Sequence, residues 1–202
     1  MTNIVKLPRP LVGGGAPVWE TIGKRRTVRT YRPVGLELGQ VSQLLWATAG
    51  VTGGTAYLRA APSAGARHPA TVFLVCNDVS GLERGVYVYV PAEHALRPAG
   101  TGSFGEPLAA ACLGQDMLAR APAVFGWCVA PEEAARKYGE RGTRYTLMDL
   151  GHACQNLYLA ATALGLGCCA IGAFRDEEVN AIFSALGLRG AVLYMATVGV
   201  PA

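Results

Sequence analysis

The stretch TLMDLGHACQNLYLAATAL, residues 146–164, decides the fold because it predicts a long, largely apolar helix at the centre of the molecule. A helix this apolar needs cover on nearly all of its sides. In a chain of 202 residues, part of that cover is expected from a second subunit. The longest apolar stretch, residues 157–174, is broken by several glycines and gives no run of about 18 apolar residues for a membrane span.

Helices and strands alternate irregularly around this central helix. Strands are predicted over residues 70–76, 85–90, 123–129, 165–174 and 191–200, and further helices over residues 17–24, 37–49, 106–120, 132–138 and 176–186. This order favours an α+β fold over strict β-α alternation. Residues 1–16, rich in proline and glycine, are predicted to form an extended arm, and residues 17–202 a single domain.

The composition excludes several classes of protein. With 51% hydrophobic and 16% charged residues, the chain is too apolar for disorder, and a net charge of +4 does not indicate a nucleic-acid partner. The N-terminus has no apolar core of a signal peptide, so a soluble, cytoplasmic protein is expected. The six cysteines sit in apolar surroundings and the three histidines lack zinc spacing, so buried reduced thiols and no metal site are expected.

The densest basic run lies directly after the first predicted helix. In RRTVRTY, residues 25–31, an extended backbone places Arg25, Thr27 and Arg29 on one face, while Arg26 points the other way. Two guanidinium groups and a hydroxyl on one face suit the oxygens of a phosphate. A solvated basic turn is the alternative interpretation.

Familiar nucleotide and hydrolase motifs do not explain the chain. GLGCCA, residues 165–170, imitates a dinucleotide fingerprint, but it follows a helix and leads into a strand, which is the reverse of the order required. The sequence also contains no phosphate-binding P-loop and no G-x-S-x-G motif of a serine hydrolase.

Four segments in order resemble the FMN-dependent nitroreductase-like family: RRTVRTY at 25–31, APSAG at 61–65, DLGHACQN at 149–156 and IGAF at 171–174. GVYVY at 85–89 and KYGERG at 137–142 are similar to its SagB-type subgroup, which includes McbC-like azoline dehydrogenases of peptide-toxin biosynthesis. The resemblance implies a mixed, mainly antiparallel sheet flanked by helices. It also implies a homodimer with FMN at the interface.

The resemblance also implies roles for individual residues. Arg25, Thr27 and Arg29 would hold the phosphate, the ribityl chain and the pyrimidine edge of FMN, with Arg26 as a further phosphate contact. Pro62, Ser63, Ala64 and Gly65 would reach the flavin of the partner subunit, and Ala170, Ile171, Gly172 and Ala173 would lie beside the ring, with backbone N–H groups near N5. Two features depart from the family. Many members carry an acidic residue at the position of Gly172, and many carry a basic phosphate contact after the last strand, where this sequence ends at Pro201-Ala202. More of the phosphate binding would then rest on Arg25, Arg26 and Arg175.

Lys137 and Tyr138 match the pair proposed as catalytic in the azoline dehydrogenases. There a base would remove a proton as the flavin takes a hydride, and nearby arginines would help to lower the pKa of the lysine. The alternative interpretation is an exposed helix with i, i+4 ion pairs from Glu132 to Arg136 and from Glu133 to Lys137.

A polar stripe runs along the central helix, at Tyr145, Asp149, His152 and Asn156. The spacing places these side chains on one face. Two interpretations stay open, namely satisfied polar groups in the core and the lining of a pocket.

The sequence therefore predicts an FMN-dependent oxidoreductase. Hydride would pass through the flavin between NAD(P)H or an organic donor and an acceptor, which is a small molecule or a peptide azoline. Two other hypotheses stay open. One is a non-catalytic flavin-binding or partner subunit of a biosynthetic complex, and the other is a phosphate-ligand domain without flavin.

Overall fold

The computed structural model describes residues 4–55 and 58–202, and among them defines seven strands and seven helices. The strands are β1 (Val5–Lys6), β2 (Ala70–Cys76), β3 (Gly85–Val90), β4 (Ala95–Thr101), β5 (Ala123–Val129), β6 (Gly167–Ile171) and β7 (Ala191–Gly199). The helices are α1 (Val18–Lys24), α2 (Leu38–Ala49), α3 (Gly105–Ala111), α4 (Met117–Arg120), α5 (Pro131–Tyr138), α6 (Arg141–Ala163) and α7 (Asp176–Ser184). A short 3₁₀ turn, Ala64–Ala66, lies between α2 and β2.

All seven strands join one sheet, in the order β1-β4-β3-β2-β5-β7-β6. Every strand pair in it is antiparallel, and parallel pairing occurs in isolated bridges such as Thr27 with Cys168. The predicted α+β class and the mainly antiparallel sheet are confirmed.

Each face of the sheet carries its own hydrophobic core, because side chains alternate along the strands. In β5, Phe125 and Trp127 lie in the core covered by α2 and α6. Val124 and Cys128, which flank these two residues in sequence, lie in the core covered by α3, α4 and α7. Helix α6 therefore has a buried side against the sheet, and its two flanks and outer face are available to other segments.

The strand predictions were most accurate at the centre of the sheet. β2, β3 and β5 have the predicted bounds, whereas β4 was missed. β4 contains Arg97 and Pro98, which disfavour a central strand, but its neighbour β1 pairs only with Ala95 and Leu96. Pro98 therefore lies on an open edge, where the missing N–H costs no sheet hydrogen bond.

The predicted helix over residues 106–120 is wrong as a single element. The chain forms α3 and α4 instead, and between them Leu113 and Gly114 adopt left-handed backbone with φ of 62° and 75°. Left-handed residues end a helix, and glycine accepts that conformation without a steric penalty. The central helix also begins earlier than predicted, at Arg141 rather than residue 146.

The described part of the N-terminal arm is tied to the sheet. Val5 and Lys6 pair with β4, and the Lys6 ammonium lies 2.8 Å from the Glu93 carboxylate. Further along, the Leu11 N–H donates to the Gln43 side chain at 2.8 Å. These contacts give the arm an edge-strand role, which its Pro- and Gly-rich composition concealed.

All six cysteines are buried and free of disulfides, which confirms the prediction of buried reduced thiols. Burial raises the pKa of Cys112 to about 11 and that of Cys154 to about 12. These thiols stay protonated at neutral pH and are therefore poor nucleophiles. In the part of the chain that the structure describes, no helix has the length and hydropathy to cross a bilayer.

Candidate active site

Arg25 and Thr27 meet at a tyrosine that sequence analysis did not single out. Segment 25–31 runs beside the edge strand β6, with a hydrogen bond from the Val28 N–H to the Cys168 carbonyl at 3.0 Å. Tyr158 projects from α6 towards this segment, and its hydroxyl lies 3.3 Å from the Thr27 hydroxyl. The Arg25 guanidinium carbon lies 5.5 Å from the centroid of the Tyr158 ring, within cation–π range.

The Tyr158 hydroxyl also accepts a hydrogen bond from the Ala170 N–H at 2.8 Å. We call Arg25, Thr27, Tyr158 and Ala170 the Tyr158 cluster. Burial raises the pKa of Tyr158, although its hydrogen bonds with Thr27 and Ala170 oppose that rise. The phenol therefore stays neutral at physiological pH and joins α6, β6 and the basic segment.

The basic segment is fixed by contacts on its other side. An added Cβ on Gly167 would lie 2.7 Å from the Val28 side chain, so only glycine lets Val28 pack there. The Tyr31 hydroxyl donates to the Val28 carbonyl at 2.7 Å and lies 2.8 Å from the Thr197 hydroxyl. Burial raises the pKa of Tyr31 far above neutrality. These contacts hold the backbone that carries Arg25 and Thr27.

The guanidinium groups of the other arginines expected at the flavin make different contacts. The Arg26 guanidinium donates to the carbonyls of Gly23 and Arg25, at 3.0 and 2.7 Å. Burial raises the pKa of Cys169, and the nearby Arg29 opposes that rise electrostatically; Cys169 belongs to the core opposite that of Cys168. The structure thus brings two of the three expected side chains together, and Arg29 lies towards the other side of β6.

Arg175 also has partners within the chain. Its guanidinium donates to the Ala110 carbonyl at 2.8 Å and pairs with Glu178 at 2.5 Å. This arginine therefore helps to join α3 and α7.

The end of β6 provides open backbone beside the Tyr158 cluster. The Ile171 side chain is buried in the second core, whereas Gly172 and Ala173 are exposed. An added Cβ on Gly172 would meet only the edge of Tyr194, at 3.8 Å. Since backbone is approached closely only where side chains are small, this surface can receive a flat ring.

A second group of functional candidates surrounds Gly65. The Ser63 hydroxyl donates to one Asp149 carboxylate oxygen at 2.6 Å, and the Ala64 N–H donates to the other at 3.1 Å. Gly65 follows with φ of 57°, and an added Cβ there would lie 2.5 Å from the Tyr138 hydroxyl and 2.6 Å from Lys137 Nζ. These two polar atoms are therefore at most 5.1 Å apart.

We call this second group the Gly65 cluster; its members are Ser63, Ala64, Gly65, Lys137, Tyr138 and Asp149. The predicted i, i+4 ion pairs of α5 are wrong. Glu133 pairs with Arg136 at 3.3 Å and Glu132 with Arg189 at 3.6 Å. The Lys137 ammonium instead lies by the Gly65 turn, 5.3 Å from the centroid of the Tyr138 ring.

The polar stripe on α6 has two kinds of member. The Asn156 amide donates to the carbonyls of Ala47 and Ala60, at 3.0 and 3.1 Å, as expected for a satisfied core side chain. Asp149 belongs to the Gly65 cluster instead, and Tyr145 packs beside that cluster, edge-on against Tyr138 with ring centroids 5.0 Å apart. His152 is exposed. Both interpretations of the stripe therefore hold, each for different residues.

The two clusters lie on opposite sides of α6. Asp149 and Tyr158 are nine residues apart, which is two and a half turns at about 100° per residue and about 13 Å along the helix axis. In one chain the clusters thus face different directions. Between them lies the outer face of the helix, where Leu147 and Met148 are each 53% exposed.

Helix α1 also exposes large apolar side chains. Val18, Trp19 and Ile22 are 56%, 81% and 48% exposed, and α1 packs beside α6. Clustered large apolar side chains on a surface, such as those of α1, indicate an interaction site. The sequence expectation that part of the cover of α6 comes from a second subunit fits this face.

Comparison with known proteins gives consistent matches. The model of the nitroreductase family matches residues 22–200. A putative nitroreductase of Methanocaldococcus jannaschii is 42% identical over 159 residues, which is 79% of this chain and 80% of that protein.

Solved structures share the whole fold. That of a putative nitroreductase from Anabaena variabilis superposes with a TM-score of 0.86 and 31% identity, over 100% of this chain and 42% of that one. A chain of the Escherichia coli microcin synthetase McbBCD complex, solved with truncated pro-MccB17 bound, superposes with a TM-score of 0.73 and 25% identity. That match covers 97% of this chain and 77% of the microcin synthetase chain.

Proposed function

The chain belongs to the nitroreductase family, and from that premise we propose that it is an FMN-dependent oxidoreductase that works as a homodimer. One observation carries the proposal. Arg25 and Thr27 project together at Tyr158, beside the exposed backbone of Gly172 and Ala173. Together they offer a cation and hydroxyls for a phosphate tail and a flat, unobstructed surface for a ring.

The chain's own residues bind and orient the cofactor in this proposal. Arg25 holds the phosphate through charge-assisted hydrogen bonds, and Thr27 contacts the ribityl chain. Since the Ala170 N–H already donates to Tyr158, Gly172 and Ala173 are the better candidates for a donor near N5. When bound, FMN supplies hydride transfer between NAD(P)H or an organic donor and an acceptor.

The homodimer completes the site in this proposal. The Gly65 cluster of one subunit covers the flavin held by the Tyr158 cluster of the other, because the two clusters of a single chain face opposite sides of α6. The exposed apolar face of α1 and α6 becomes the subunit interface.

The substrate class that we propose is a peptide azoline. Azole formation from a thiazoline or oxazoline removes a hydride from one ring carbon and a proton from the other. Lys137 and Tyr138 are placed to take the proton, since both polar atoms converge on the Gly65 turn. The similarity to a microcin synthetase chain solved with a pro-microcin peptide supports this class.

A direct test starts from protein loaded with FMN and freed of excess. Retained flavin absorption is expected, and it should bleach either with NAD(P)H or with a peptide that contains a thiazoline. Oxidation of the peptide appears in mass spectra as the loss of two hydrogens. Protein that stays colourless after loading would overturn the proposal.

A non-catalytic flavin-binding or partner subunit is the second candidate function. It is favoured by Gly172, which puts no carboxylate at a position where many nitroreductases carry one. In that case the loaded protein retains flavin but neither donor bleaches it, and adding companion proteins of a biosynthetic complex does not change the result.

Gly65→Ala should separate catalysis from folding. The new Cβ would collide with the Tyr138 hydroxyl and Lys137 Nζ, and a displacement of about 1 Å at a catalytic group costs about 100-fold in rate. We expect kcat to fall by about that factor. Gly114→Ala is the matched control, because Gly114 also has a positive φ, 75°, but its added Cβ meets nothing within 4 Å. Equal activity in the two variants would contradict the placement of Lys137 and Tyr138.

A further inference from the structure

We propose that Asp149 is a positioning residue, which holds the 63–68 turn against Lys137 and Tyr138 and so sets the geometry of the proton-transfer pair. The inference rests on the proposed function, because it assigns a role within the same site. Asp149 itself touches neither Lys137 nor Tyr138 through a hydrogen bond; it acts on them through the turn.

The carboxylate fixes the turn at two successive residues. One oxygen accepts the Ser63 hydroxyl at 2.6 Å, and the other accepts the Ala64 N–H at 3.1 Å. Ser63 in turn closes the turn, since its oxygen accepts the His68 N–H at 2.9 Å. An ionised carboxylate is an acceptor only, so these hydrogen bonds have a single direction, and a charged acceptor makes them stronger than neutral ones.

The turn needs such an anchor because its backbone is strained. Gly65, Ala66 and His68 have φ of 57°, 53° and 47°, and for residues other than glycine each such conformation costs energy. Segments in this conformation persist where surrounding contacts hold them, and they often occur at functional sites. Asp149 supplies contacts of that kind from a helix, which is a rigid element.

The position of the turn is transmitted directly to the proton-transfer pair. Gly65 lies against Lys137 Nζ and the Tyr138 hydroxyl with no room for a methyl group. On the other side, Tyr138 packs against Tyr145, which precedes Asp149 by one turn of α6. Helix α6 therefore positions both groups that pack against Tyr138, the Tyr145 ring directly and the Gly65 turn through Asp149. A shift of the turn changes the space available to Lys137 and Tyr138.

The test compares Asp149→Ala with Asp149→Asn, and uses Asn77→Ala as the control. The asparagine amide keeps one acceptor for the Ala64 N–H, and its NH₂ group can donate to the Ser63 oxygen, so it restores part of the anchor. The Asn77 side chain donates two hydrogen bonds, to the carbonyls of Leu118 and Ala121. Asn77→Ala therefore removes a polar side chain that also bonds two groups, but at a place away from the site.

Two measurements are made on FMN-loaded enzyme. For Asp149→Ala we expect kcat per bound flavin to fall by about 10- to 100-fold with KM changed by less than about threefold, and for Asp149→Asn an intermediate kcat. Amide hydrogen exchange within residues 64–68 should rise at least about tenfold in Asp149→Ala, because hydrogen bonds to the carboxylate protect the turn. Asn77→Ala should show neither change.

Each other outcome is decisive. Faster exchange with an unchanged kcat would overturn the inference, because the anchor would then be purely structural. A lower kcat with unchanged exchange would also overturn it, since Asp149 would then act directly on the reaction. A wild-type protein that retains no flavin fails the proposed function itself, whereas a coloured, active wild type with an insensitive Asp149→Ala fails only this inference.

Discussion

Replacing Arg25 with alanine is expected to weaken FMN binding by about 10- to 100-fold, since hydrogen bonds to charged groups contribute about 1.5–3 kcal/mol. The fold should change little, because the contact of Arg25 in the structure is a cation–π interaction with Tyr158. Titration of the apoprotein with FMN, followed by flavin fluorescence, measures the dissociation constant, and the thermal melting temperature checks the fold.

Alanine variants of two neighbouring arginines serve as controls for Arg25→Ala. Arg32→Ala removes the same charge from an exposed position and should change the affinity by less than about threefold. Arg26→Ala should also have a small effect, because its guanidinium donates to carbonyls at the end of α1. If all three variants lost affinity equally, a diffuse basic surface would explain the binding and the Tyr158 cluster would not.

The fold was predictable where side-chain periodicity and burial agree. β2, β3 and β5 lie in the middle of the sheet, and their uninterrupted apolar runs gave the correct bounds. β4 depends on the short neighbour β1, which leaves Pro98 on an open edge. That is a property of the assembled sheet and not of the local sequence. The break between α3 and α4 could not be read from the local sequence either. It depends on a positive φ at Leu113, a conformation that leucine rarely adopts.

The site was predictable in its components more than in its arrangement. The alternation of Arg25 and Thr27 correctly placed both on one face, but Tyr158 was missed because a tyrosine on an apolar helix resembles an ordinary core residue. Gly65 and Lys137 are 72 residues apart, and no local pattern signals a contact over that distance. The ion pairs expected on α5 failed because Arg189, also distant in sequence, takes Glu132.

The placement of the two clusters on α6 leads to the second large effect, in mixed dimers. If two copies pack the outer faces of α6 antiparallel, with a two-fold axis between Gly151 and His152, Tyr145 lies at the same height along the helix pair as the partner's Tyr158, since these positions are equidistant from the axis. The Gly65 cluster of each subunit then lies at the level of the Tyr158 cluster of the other. Each active site takes its flavin anchor from one subunit and Lys137 from its partner.

Arg25→Ala and Lys137→Ala homodimers should both be nearly inactive, whereas the purified heterodimer of the two variants should recover roughly half of the wild-type activity. One of its sites combines both defects, and the other joins the intact Arg25 of one chain to the intact Lys137 of the other. The converse heterodimer, wild type with the Arg25→Ala/Lys137→Ala double variant, should be nearly inactive because each of its sites carries one defect. If Lys137 served the flavin of its own chain, the two heterodimers would exchange results, with the first inactive and the second about half active. Chains with two different affinity tags allow both heterodimers to be isolated. They are assayed at equal protein concentration and at an FMN concentration close to the wild-type dissociation constant, so that sites without Arg25 stay largely empty and the pair of measurements assigns Lys137 to one subunit or the other.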